Sequence, residues 1–112
     1  MDQNLPRDAS ASPVPLFPAV PALEETYDTT ISASTEITLN ASTTMIRIVA
    51  GGEAVMLKWG TSDASTSDFD QVIPDGAIVD LVIPVDSTTG IIYTAINVIE
   101  RTTTAWVVVL EY

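Results

Sequence analysis

The stretch Met45-Ile46-Arg47-Ile48-Val49-Ala50-Gly51-Gly52-Glu53-Ala54-Val55-Met56-Leu57-Lys58-Trp59-Gly60 decides the fold class. Its first half alternates, with Ile46 and Ile48 on one side and Met45 and Arg47 on the other. Its second half sets Val55, Leu57 and Trp59 against Lys58. A period of two marks a strand with one buried face. Gly51-Gly52 separates the two runs, and this pattern predicts a β-hairpin whose core contains Ile46, Ile48, Val55, Leu57 and Trp59.

The same period continues in both directions. Ile31, Ala33, Thr35, Ile37 and Leu39 share one face, and Ser32, Ser34, Glu36 and Thr38 the other. Beyond Gly60 a polar loop over residues 61–71 leads to Pro74-Asp75-Gly76, a turn signal. Residues 77–83 put Val79, Leu81 and Ile83 inward and Asp80 outward, and residues 86–90 read as a further turn. The last two runs, 91–99 and 105–112, are apolar on both faces, as expected of strands covered on both sides. No helical period is long enough to supply that cover. A second protomer is therefore the expected cover, with Tyr93, Ile99, Val107, Val108 and Val109 in an oligomer interface. The fold class is all-β: an antiparallel β-sandwich, jelly-roll-like.

Ahead of this domain the composition changes. Residues 1–29 hold Pro6, Pro13, Pro15, Pro18 and Pro21 among spaced apolar residues, and residues 30–112 hold the β-sandwich. Each proline fixes its own φ and extends the residue before it, so the leader reads as an extended N-terminal arm rather than a helix. Leu5, Val14, Leu16, Phe17, Val20 and Leu23 are its candidate anchors in a groove of another protein.

Composition limits the chemistry. The chain has 112 residues and a formal charge of −11, from fifteen acidic and four basic residues. Such a charge repels a phosphate backbone and an anionic lipid surface, so neither nucleic acid nor membrane is an expected partner. No run approaches the ~18 apolar residues of a spanning helix, and no secretory leader is read at the start, which points to synthesis in the cytoplasm. There is no cysteine, so packing or oligomerisation must hold the fold. There is also no histidine, so a serine nucleophile would lack its usual base. No catalytic, cofactor-binding or metal-ligating residue is assigned, and an enzyme is not expected. The acidic loop from Asp63 to Asp70, with Asp75 beyond it, offers hard oxygen ligands. Its spacing departs from the calcium-loop pattern, which favours a solvated loop. Trp59 and Trp106 could stack on a sugar ring, but the phase of each strand assigns both to the core.

The run from Met45 to Gly60, followed by a Ser/Thr/Asp loop and Ile73-Pro74-Asp75-Gly76, resembles small proteins encoded among the virion structural genes of tailed bacteriophages. The resemblance covers about a third of the chain. It implies a capsid decoration (cement) protein or a related head or tail accessory protein. Such proteins are commonly homotrimers on the outer face of the particle, contacting the major capsid protein or another virion protein. It brings no catalytic residues and no cofactor. The alternative of another class is a carbohydrate-binding or receptor-binding tip module of a phage head or tail fibre.

Overall fold

A computed structural model of the chain describes residues 21–112, and among these it is all-β, with eight strands and no helix. The strands are β1 (Glu24–Ile31), β2 (Thr35–Thr38), β3 (Met45–Gly51), β4 (Val55–Trp59), β5 (Gln71–Ile73), β6 (Ile78–Val82), β7 (Ala95–Glu100) and β8 (Ala105–Glu111). They form two four-stranded sheets, ordered β1-β8-β3-β6 and β2-β7-β4-β5.

One pairing rule underlies this order. β1 pairs with β8, β2 with β7, β3 with β6 and β4 with β5, all antiparallel. The chain is thus one long hairpin doubled back between β4 and β5. Rolling that hairpin closes two further antiparallel ladders, β3 with β8 and β4 with β7.

The two sheets form a sandwich-like pair of layers around a single core. The first sheet contributes Ile31, Ile46, Ile48, Ala50, Ala105, Val107 and Val109, and the second contributes Ile37, Val55, Leu57, Ile73, Ile96 and Val98. These side chains occupy every second position of their strands, so alternation in the sequence becomes burial in the fold. Each fully buried Val, Leu or Ile stabilises the fold by about 1.5–3 kcal/mol relative to an exposed side chain.

Glu111 is the one charged side chain buried in this interior among the described residues. Its Oε1 accepts hydrogen bonds from the Asn40 backbone N–H and the Thr43 hydroxyl, both at 2.7 Å. These bonds tie the loop after β2 to the end of β8.

The structure corrects several expectations. Ile46–Ile48 and Val55–Trp59 do share the core, but β3 and β4 do not pair with each other. Gly51-Gly52 instead carries the chain from one sheet to the facing one. Likewise residues 31–39 are not one strand: Ile31 closes β1 in the first sheet, and β2 lies in the second. The arm does not extend to residue 29, because Glu24–Thr29 lie in β1 and Glu24–Asp28 pair with β8. The Leu23 N–H also donates to Glu111 O at 2.6 Å. Finally, Val107 and Val109 are 0% exposed within a single chain, so their place is the core and not an oligomer interface. Leu5, Val14, Leu16, Phe17 and Val20 lie outside the described residues.

Candidate interaction surface

Inward positions build the core, so the alternate positions decide what each sheet presents outward. The two sheets differ sharply there.

The second sheet is covered by the chain itself. Asn97 points outward from β7 yet is buried. Its Oδ1 accepts from the Ser34 hydroxyl at 3.2 Å, and its Nδ2 donates to Gly60 O at 3.0 Å. Ser34 in turn accepts from the Ala64 N–H at 2.9 Å, which holds the loop over residues 60–70 against the sheet. Lys58 reaches Asp68 at 2.6 Å, Asp70 accepts from the Trp59 N–H at 2.9 Å, and the Asp70 N–H donates to Leu57 O at 2.8 Å. Two of the loop's carboxylates therefore fasten the loop to β4. Among the described residues, no cluster of three or more acidic, histidine or cysteine side chains is placed to hold a metal.

The first sheet has no such cover among the described residues. Its ladders set the outward side chains in rows across all four strands. One row runs Tyr27, Val108, Val49, Ile78. The next runs Glu25, Leu110, Arg47, Asp80. At the end of β8, Tyr112 and Met45 exchange backbone hydrogen bonds at 2.8 and 3.0 Å, and Val82 pairs with Met45. Trp106 stands opposite Gly51 and lies 6.1 Å from Tyr27 between ring centroids, tilted by 54°. Tyr27, Ile78, Val82 and Leu23 are 63, 65, 71 and 56% exposed. Large apolar side chains at such exposure, contiguous across a sheet, make this face the candidate interaction surface.

The polar content of this face is small, and its central pair is joined internally. Arg47 Nε and Nη2 donate to the two carboxylate oxygens of Asp80 at 2.8 and 3.0 Å. That fork raises the Arg47 pKa and lowers that of Asp80, the hydrogen bond being the larger cause for each. Two acids, Glu25 and Asp80, and one base, Arg47, give the three rows a net charge of −1, within a chain of −11.

The residues assigned from sequence separate on this framework. Val108 sits in the middle of the apolar face, and Leu23 stands at its rim, beside the start of β1. Ile99 belongs to the other sheet, opposite Met56. Tyr93 lies beyond both sheets, stacked on Trp59 with centroids 6.3 Å apart and planes 20° from parallel. Trp59 shares the inward phase of Val55 and Leu57 and packs on the core. Trp106 does not: it occupies the outward phase of β8, contrary to the expectation from sequence. Met45, Val49, Ile78 and Val82 were not singled out in the sequence, although their apolar character at outward positions of β3 and β6 was the available signal.

A second feature is an open recess of about 280 Å³ lined by Gly60, Thr61, Asp86, Thr89, Tyr93 and Thr94 among others. It lies between the loop after β4 and the excursion before β7. That excursion is closed by Asp86 N–H to Ile91 O at 2.9 Å and Gly90 N–H to Asp86 O at 2.8 Å. No protein-family model, curated protein or solved structure matches the chain.

Proposed function

We propose that this protein is a virion structural protein of a tailed bacteriophage, a jelly-roll domain that decorates and stabilises the capsid surface and works by docking rather than catalysis. The observation that carries the reading is the bare apolar outer face of the β1-β8-β3-β6 sheet in a strongly acidic chain. Strand order supports the fold name: eight antiparallel strands in two sheets, paired first with last, second with seventh, third with sixth and fourth with fifth, follow the jelly-roll plan. The Met45–Gly60 and Ile73–Gly76 motifs support the virion assignment through their resemblance to phage head and tail accessory proteins.

Cosedimentation of the purified chain with shells assembled from a tailed-phage major capsid protein of the same source tests this function. Saturable binding in fixed proportion to the coat protein supports it. Protein left wholly in the supernatant overturns it.

The recess beside Tyr93 favours a second reading, a saccharide-binding tip module. It combines an aromatic ring with the hydroxyls of Thr61, Thr89 and Thr94 and the carboxylate of Asp86, the groups with which proteins hold sugar rings. Glycan-array binding abolished by Tyr93→Ala would select this reading over decoration.

A further inference from the structure

We propose that the outer face of the β1-β8-β3-β6 sheet is covered by the same face of a second copy of this chain, forming a face-to-face homodimer. The inference rests on the docking reading above only for the exposed face itself: it assigns that face to a second copy, so a capsid would be met by the remaining surface of the dimer.

Three observations select a second copy. The first is charge. Two chains of −11 repel each other, and the side chains of these rows carry only −1 of that charge. Their charged centre, Arg47 with Asp80, is already joined by two hydrogen bonds, so desolvating it leaves neither group unpaired.

The second is area. Four strands about 4.8 Å apart, with outward rows about 6.8 Å apart over some four rows, present on the order of 500 Å² in projection. Two such faces bury about 1,000 Å² together, the lower bound for a biological interface. The face is thus large enough for a copy of itself.

The third is the asymmetry within the chain. The loop over residues 60–70 covers the second sheet through Ala64, Ser34 and Asn97. The first sheet instead leaves Tyr27, Val49, Ile78, Val82 and Val108 facing outward in register. Sheets with such faces pack about 10 Å apart.

The test compares molar masses of the full chain and its variants by sedimentation at micromolar concentration. Ile78 and Val82 are already exposed, so a double Ile78→Lys, Val82→Lys variant keeps the fold, which circular dichroism checks. The wild type is expected at twice 11.9 kDa and the double variant at the monomer mass. Val72→Lys, at an exposed position of the second sheet, is expected to remain dimeric. Deletion of residues 1–20 is also expected to leave the dimer intact.

A monomeric wild type overturns the proposal, as does a folded double variant that keeps the dimer mass. Loss of the dimer on deleting residues 1–20 overturns it too, because the N-terminal segment would then be the cover. A dimer that fails to bind shells leaves this inference standing and removes only the capsid reading.

Discussion

Trp106 lies over the backbone of Gly51, its register partner across β8 and β3, and a Cβ at position 51 would overlap the indole ring. Glycine is required there by the ring and not by the backbone, because φ at Gly51 is not among the positive values. Gly51→Ala is therefore expected to push the indole off the sheet and cost about 1–3 kcal/mol, the usual cost of overpacking. In a Trp106→Ala background the same change should be near neutral. A double-mutant cycle by urea denaturation measures the difference, and equal costs in both backgrounds would refute the contact.

Trp59→Ala should cost on the order of 2–3 kcal/mol, below the range of a fully buried tryptophan, because this ring is only half buried. The loss comprises its packing on the core and its stacking on Tyr93. Thermal melts of Trp59→Ala and Tyr93→Leu separate the two parts.

Thr43→Val removes one of the two donors to the buried Glu111 Oε1. An isosteric change that leaves a buried carboxylate short of a hydrogen bond should cost about 1–3 kcal/mol. Paired with Glu111→Gln, the Thr43 effect should shrink, since a neutral amide is less costly to leave under-bonded. Chemical denaturation of the four species reads this out.

Glu53 joins the turn after β3 to the loop before β8. Its Oε2 accepts from the Thr102 hydroxyl, the Thr103 N–H and the Thr103 hydroxyl. The two side-chain hydrogen bonds are the main causes that lower its pKa from 4.5 to about 2. A carboxylate with a depressed folded-state pKa stabilises the fold above its unfolded value, and that contribution fades as pH falls from about 4.5 toward about 2. Melting temperature should therefore fall with acidification through this window, and Glu53→Gln should flatten part of that dependence. A variant that follows the wild-type curve throughout would refute the clip.

Two truncations should behave differently. Removing residues 1–20 leaves every described strand in place, whereas removing 1–29 deletes most of β1 and bares the edge of β8. The longer deletion is expected to lower the melting temperature by several degrees and to raise aggregation through the exposed edge. Equal stability of the two would contradict the β1–β8 ladder.

The failed hairpin shows where reading the sequence stops. Ile46, Ile48, Val55 and Leu57 are all in the core, as alternation required, yet β3 and β4 lie in different sheets. Gly51-Gly52 permits a reversal of the chain but does not say whether the two strands share a ladder or face each other across a core. Residues 24–29 were missed as a strand for a related reason. Nearby prolines and acids dominate the local composition, while the ladder holding β1 comes from β8, some 80 residues away.

By itself the sequence determined the all-β class, the turn at Pro74-Asp75-Gly76 and which side chains of β3, β4 and β6 turn inward, because these depend on neighbours one or two residues apart. The tertiary structure alone decided that β8 pairs with both β1 and β3. It also decided that Val107 and Val109 are core while Val108 and Trp106 face outward, and that one sheet is covered by its own loop and the other is not. Those outcomes depend on strand pairings between residues distant in sequence, and a strand apolar on both faces, as β8 is, carries no record of which face the core will take.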